Sequence, residues 1–408
     1  MMTTIESCGL RYVLAAPVAK LPPADFTAAH ARQALRFHRT LPGYEPTGLV
    51  NLSHLAGRWN IGNVLVKDES TRFGLNAFKV LGGSYAVARM LCQRMGIEWE
   101  QVDFGTLKEE LVRRKIGPLT LATATDGNHG RSVAWMAEQL GLNAVIYMPK
   151  GTVRSRVESI RRHGAIVEVT GLNYDETVRL VWDLAGKNGW QVIQDTAWEG
   201  YTQIPRWIMQ GYTTMSIEAV EQMTAAGMRP THVFVQAGVG AFAAAMVGHM
   251  ANVFSNSSPR FIVVEPIQAA CMLASARAGD SLPRGVKGDL DTIMAGLACG
   301  EPSTLAWEIL REWSCCFIGC DDFVAANGMR ILANPIGEDA AVESGESGAV
   351  GIGLLDQLAN HPDGAVLRRE LEIDSESTVL VFNTEGATDP VNYRDVVWYG
   401  KYGGLWDR

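Results

Sequence analysis

The sequence has no block of Lys or Arg, no long apolar run and few cysteines. Its 408 residues carry a formal net charge of −8. That balance excludes a general nucleic-acid binder, which needs a basic surface to neutralise phosphates. Residues 230–259 contain no Asp, Glu, Lys or Arg, but His232, Gln236, Gly238, Gly240 and His249 break the stretch. Its apolar parts, 233–235 and 241–253, fall short of the roughly 18–20 residues that cross a bilayer. A buried strand, a glycine turn and a buried helix account for it, and no membrane partner is expected. The seven cysteines are Cys8, Cys92, Cys271, Cys299, Cys315, Cys316 and Cys320, with no C-x-x-C pair among them. That spacing argues against a zinc site or a disulfide framework and for a reducing compartment. Cys271 and Cys299 flank an insertion and are a candidate pair if they meet in space. Residues 1–21 lack the basic start and continuous apolar stretch of a secretory leader, so the expected location is the cytoplasm.

What is present is an ordinary globular composition, 47% apolar and 20% charged, which does not suit disorder. At roughly 150 residues per domain the length corresponds to two or three domains. Short β-branched runs at 63–67, 119–124, 143–148, 165–170, 190–193, 231–236, 261–265 and 378–382 alternate with helical spacing at 83–95, 131–140, 153–163, 174–188 and 241–253. This pattern predicts an α/β protein with parallel sheets covered by helices on both faces. There are too many strands for one small sheet, so two α/β domains are expected. The larger comprises 1–100 and 205–408, the smaller 101–204. Ligands in such folds bind where strands end and helices begin.

Three strand ends carry chemistry. The first runs from Lys67 through Gly74 and Asn76 to Phe78-Lys79 before a helix. Apolar neighbours lower the proton affinity of a lysine, and a neutral amine is what a Schiff base requires. From this stretch alone, a lysine snorkelling to the surface is the better reading. The second, Thr125-Asp126-Gly127-Asn128-His129-Gly130, is an anion site or an ordinary strand-to-helix turn. The third, Gln236-Ala237-Gly238-Val239-Gly240-Ala241, follows a strand and opens a helix, as a phosphate cradle does. Ala243 stands where a dinucleotide fingerprint has its third glycine, which makes a nicotinamide site weak.

Taken in chain order, these motifs resemble the fold-type II family of pyridoxal phosphate enzymes, which includes threonine dehydratase. Phe78-Lys79, Gly127 to Gly130 and Val264-Glu265-Pro266 match family positions. The resemblance implies the tryptophan synthase β-like fold, with the cofactor between two parallel-sheet domains. Within that family, longer blocks are similar to the diaminopropionate ammonia-lyases. They include Gly74 to Lys79, Thr125 to Arg131, Gln194 to Tyr201, Ile293 to Pro302, Ser344 to Gly351 and Thr384 to Gly386.

The resemblance implies that Lys79 holds pyridoxal 5'-phosphate covalently. Gly238, Val239, Gly240 and Ala241 cradle its phosphate, Asn128 bonds its phenolic oxygen, and Thr384 faces its pyridine nitrogen. A neutral hydroxyl at that nitrogen leaves it unprotonated, which suits elimination over transamination. The implied reaction converts D- or L-2,3-diaminopropionate to an aminoacrylate that hydrolyses to pyruvate and ammonia. Threonine-type dehydratases lack the acidic residue that Asp126 supplies here. Asp126 and Asp195 suit a substrate with a second, cationic amino group. Alone, Asp126 reads as a helix cap and Asp195 as a turn residue. Lys79 and Asp126 are expected on opposite faces of Cα, with Asp195 toward the distal amine. His129 reads as structural, Glu346 as a candidate neighbour of the cofactor, and Trp198, Tyr201 and Trp207 as core or pocket wall. Cys315, Cys316 and Cys320 read as buried packing rather than a metal site. The competing readings are a β-eliminating enzyme for serine, threonine or an N-substituted diaminopropionate, and a non-catalytic binder of the cofactor or an amino acid. The resemblance implies a homodimer.

Overall fold

Eleven short strands form two sheets in the computed structural model, which describes residues 9–17, 21–114 and 118–403. Cys8 and parts of the segment read above for a leader lie outside the described residues. In chain order the strands are β1 (Leu10–Leu14), β2 (Leu49–Asn51), β3 (Asn63–Asp68), β4 (Thr120–Ala124), β5 (Asn143–Met148), β6 (Ile166–Val169), β7 (Gln191–Val192), β8 (His232–Gln236), β9 (Arg260–Pro266), β10 (Ser314–Cys320) and β11 (Thr378–Asn383). The larger sheet has the order β1-β10-β9-β8-β11-β3-β2, and the smaller has the order β6-β5-β4-β7. The smaller sheet is parallel throughout. The larger is parallel inside, but both edge strands, β1 and β2, run antiparallel to their neighbours. The strictly parallel expectation therefore fails at the two edges. Central strands read as unbroken apolar runs because helices cover both faces; Val64, Leu65 and Val66 have no exposed surface.

Strand β10 was not expected from the sequence. Its Ser-Cys-Cys-Phe-Ile-Gly-Cys run is buried along its length, so Cys315, Cys316 and Cys320 pack in the core. The six described cysteines are all free thiols. Cys271 and Cys299 do come close to a common point, since Cys271 Sγ lies 3.5 Å from the Gly238 carbonyl oxygen and a Cβ on Gly238 would lie 3.1 Å from Cys299 Sγ. Among the described residues no helix is long and apolar enough to cross a membrane.

Two helix pairs fix where the site falls. The Lys79–Met95 helix crosses the Gln203–Ala225 helix at Gly82 and Gly211. A Cβ at Gly82 would collide with the Tyr212 ring, and one at Gly211 with the Leu81 carbonyl oxygen. This close approach holds Lys79 over Tyr212, with Nζ 5.9 Å from the ring centroid. The Lys79–Met95 helix also packs on the Asn128–Leu140 helix, where a Cβ at Gly83 would strike Ser132 Oγ. One helix thus links the larger sheet to the smaller.

Candidate active site

The lysine turn is built by residues that tolerate left-handed backbone. Phe73, Gly74 and Asn76 have φ of 52°, 67° and 53°, a conformation that favours Gly and Asn. The turn is tied to the end of β11, because Phe78 N–H donates to the Thr384 carbonyl at 3.1 Å and Gly386 N–H to that of Asn76 at 3.0 Å. Lys79 and Thr384 therefore enter one cavity from adjacent segments. Its volume is about 650 Å³, mouth included, and it is lined by Lys79, Asp126, Asn128, Asp195, Gly238 to Ala241 and Thr384. The residues expected to hold the cofactor, together with Asp126 and Asp195, all line this cavity.

The charges inside differ from the expectation of a neutral lysine. Lys79 Nζ lies 2.5 Å from Asp195 Oδ2. Burial lowers the ammonium's pKa, but the Asp195 carboxylate outweighs burial and holds it above the ordinary range. Conversely, burial raises the Asp195 carboxyl, and the Lys79 charge brings it well below the ordinary range. The apolar neighbours of Lys79 in sequence were a poor guide, because a carboxylate distant in sequence decides its charge. Asp195 Oδ1 also accepts the Tyr174 hydroxyl at 3.2 Å. Asp195 does lie in a bend after β7, but its side chain serves Lys79 and Tyr174.

Asp126 is not a helix cap either. Gly127 caps the Asn128–Leu140 helix with φ 157° and no side-chain bond. Thr125 Oγ1 accepts the N–H groups of Gly127 and Gly130 at 2.9 and 3.0 Å instead. This frees the Asp126 carboxylate, which meets Arg156 Nη1 at 3.4 Å. Burial raises the Asp126 pKa, and Arg156 and Lys79 only partly oppose it. A raised carboxyl in a cleft is suited to proton transfer near neutrality. Asn128 Nδ2 donates to Glu385 Oε2 at 2.6 Å. Gln236 Nε2 donates to Thr384 Oγ1 at 2.9 Å, leaving the threonine O–H to donate elsewhere.

Four contributors escaped the sequence reading. Tyr174 looked like the start of a helix, yet its hydroxyl reaches Asp195. Arg156 lies in a helix that reads as solvated and basic, but its side chain is 7% exposed. Tyr212 packs beneath Lys79, its ring centroid 5.9 Å from Nζ. Glu385 was visible only as part of a block similar to a family. Glu346 does not line this cavity; it faces an adjoining one that shares Asp126 and Tyr174, and it accepts from Asn392 Nδ2 at 2.5 Å. Trp198 and Tyr201 stack 4.5 Å apart behind Gln194, outside the cavity lining. Trp207 packs in the core beside Arg89. Among the described residues no three His, Cys, Asp or Glu are grouped to hold a metal ion.

A lysine amine, a glycine loop at a helix N-terminus and a strand-end hydroxyl around one cavity define a class, and the chain belongs to it: the family of pyridoxal-phosphate dependent enzymes, whose model matches residues 40–380. The chain is 52% identical over 377 residues to the diaminopropionate ammonia-lyase of Escherichia coli (strain K12), covering 92% of this chain and 93% of that one. It is 50% identical over 371 residues to the enzyme of the same name from Salmonella typhimurium (strain LT2), covering 90% and 92%. Among solved structures it is similar to the E. coli diaminopropionate ammonia lyase in complex with an aminoacrylate-PLP azomethine reaction intermediate. The TM-score is 0.90 at 48% identity, over 97% of this chain and 98% of that one.

The residues fit the family's cofactor. A Cβ on Gly238 would lie a tight 3.1 Å from Cys299 Sγ and from Leu297 Cα. Gly240 adopts φ 90° and its Cβ would collide with Met272 Cε. Together they bring the chain's N–H groups to the start of the Ala241–Val253 helix, where first-turn donors have no carbonyl partner. That is a site for a phosphate dianion.

Proposed function

We infer that this chain is a diaminopropionate ammonia-lyase, converting D- and L-2,3-diaminopropionate to pyruvate and two ammonia by α,β-elimination. The observation that carries the reading is the pair of carboxylates, Asp195 and Asp126, at the Lys79 amine in a chain of this family. A hydroxyl leaving group has no evident need of both, whereas a diamino acid does.

Pyridoxal phosphate, when bound, supplies the electron withdrawal that lets Cα lose its proton. Lys79 would hold it covalently, Gly238 to Ala241 its phosphate, Asn128 its phenolic oxygen and Thr384 its pyridine nitrogen. Gln236 orients the Thr384 hydroxyl as a donor, which would favour an unprotonated pyridine nitrogen there. Lys79 and Asp126 flank Cα from opposite faces. Support comes from their origins, since Lys79 enters beside the end of β11 and Asp126 from the end of β4. Each isomer then finds a base, and Asp195 holds the distal amine. The chain acts as a cytoplasmic homodimer. The division into 1–100 with 205–408 and 101–204 is supported by the small sheet, whose strands all lie between Thr120 and Val192.

The test is pyruvate and ammonia release from D- and L-diaminopropionate, serine and threonine, with the visible spectrum recorded alongside. Two ammonia per pyruvate from diaminopropionate, and little from the hydroxy amino acids, is expected. A yellow protein that turns over only serine or threonine would move the substrate to a relative.

A further inference from the structure

The His129 imidazole is 2% exposed and its two nitrogens are unequal. Nε2 lies 2.7 Å from the Ile193 carbonyl oxygen. A carbonyl only accepts, so Nε2 carries the hydrogen and neutral Nδ1 presents a lone pair. Nδ1 has no hydrogen-bond partner, and it faces Asp195 Oδ2 at 3.9 Å. That oxygen is bonded to Lys79 Nζ, while Oδ1 is held by Tyr174 and Gln194. Two buried acceptors thus face each other with no hydrogen between them, an arrangement that buried polar groups rarely keep. Burial lowers the imidazole's proton affinity, Asp195 raises it, and the Lys79 ammonium lowers it. Of these, only the ammonium is lost when the lysine nitrogen gives up its proton.

We propose that His129 and Asp195 form a one-proton dyad, in which departure of the Lys79 ammonium lets a single proton settle between His129 Nδ1 and Asp195 Oδ2, held for the leaving amine. This rests on the lyase reading above. A neutral primary amine on Cβ holds two hydrogens. When the Cβ–N bond breaks, its electron pair stays on nitrogen, which takes the dyad's proton and leaves as NH₃. In the isomer that Asp126 serves, the Cα–H electron pair becomes the Cα–Cβ double bond and the Cα proton goes to Asp126, so Lys79 stays uncharged. His129 acts through Asp195, so it is a positioning residue. The other titratable groups around the pair are Asp126 from the end of β4, Arg156 behind it, Tyr174, Tyr212 and Cys299. None of them bonds to Nδ1.

The test needs no turnover. ¹⁵N-histidine NMR of the cofactor-free protein, assigned with His129→Gln, follows Nδ1 from pH 9 to pH 5.5. In the wild type His129 should stay neutral with its hydrogen on Nε2. In Lys79→Gln, or in Lys79→Met should Gln disturb the fold, its midpoint should rise by at least one pH unit. Adding Asp195→Asn should cancel that rise. A His129 that stays neutral in the Lys79 variants, or that titrates unchanged without Asp195, overturns the dyad. In the loaded enzyme, His129→Gln should keep its visible spectrum and lose kcat by about 10²-fold, with the acid limb of the pH profile displaced and KM little changed. An unmoved pH profile would also overturn it. Wild-type pyruvate release from diaminopropionate tests the parent reading separately.

Discussion

Single residues at this site owe their chemistry to partners far along the chain. Lys79 and Asp195 lie on separate sheets' loops, and each sets the other's charge. Two substitutions probe the assignments directly. Asp126→Asn should abolish turnover of at least one diaminopropionate isomer while leaving cofactor binding intact; assays with each pure isomer decide it, and undiminished turnover of both would remove Asp126 from the chemistry. Thr384→Asp should place an anion at the pyridine nitrogen, favour its protonation, and lower the elimination rate by tenfold or more. A variant with full lyase rate would show that the nitrogen's charge is not controlled there. The motif residues were legible because each sits at a strand end whose sequence is constrained by a turn or a helix start. Tyr174 and Arg156 were not, because a residue on an amphipathic helix gives no sign in the sequence of whether its polar tip meets water or a buried carboxylate.

At the scale of elements, the sequence placed most strands but only five helices, missing among others the long Gln203–Ala225 and Glu346–Asn360 helices. The helices expected at 83–95 and 131–140 begin earlier, at Lys79 and Asn128. The Asn128 helix opens with Asn-His-Gly-Arg and the Lys79 helix carries Gly82-Gly83 after its first residues, which hides the apolar period. Strand β2 has three residues, too few for a pattern. The glycine loop carries its own prediction: Gly240→Ala forces a side chain into φ 90° and onto Met272, so cofactor affinity should fall at least tenfold and stability by about 1–3 kcal/mol, measured by cofactor titration and urea unfolding. Strand β9 carries Glu265 one residue before its end, where it accepts the Met272 and Leu273 N–H groups at 2.8 Å each. Burial nonetheless pushes its carboxyl from 4.5 up to about 8. Its folded value lies above its unfolded one, so its contribution is present below pH 4.5 and is lost as pH rises through about 8. Glu265→Gln should therefore flatten the fall in unfolding midpoint between pH 5.5 and 8; a variant with the wild-type slope would place the titration elsewhere.

At the scale of the molecule, the site is a seam. Asn128 bonds to Glu385 across it, and Asp175 Oδ2 accepts the Gly300 N–H at 3.0 Å. A cofactor held by both sides binds the folded chain alone. At a hundredfold excess over its dissociation constant it should stabilise by about 2.7 kcal/mol. For a chain of this length that is about 3 °C in Tm, so stripping the cofactor and repeating the melt should show a drop of that size, and no drop would mean that the seam does not need it. The division into two sheets was legible from the number of strand-like runs, whereas the order of strands within each was not, because register is chosen by tertiary packing.

That order has a consequence for synthesis on the ribosome. The small sheet is one continuous stretch of chain and has all its strands once Val192 has emerged. The large sheet has its last strand, β11, in its interior between β8 and β3. Until residue 383 leaves the exit tunnel, β8 and β3 each wait with a bare, apolar edge of the kind that recruits the wrong neighbour. The nascent chain thus spends nearly half of its elongation with one finished half and one open wound, and β11 closes the sheet and delivers Thr384 to the pocket in the same event.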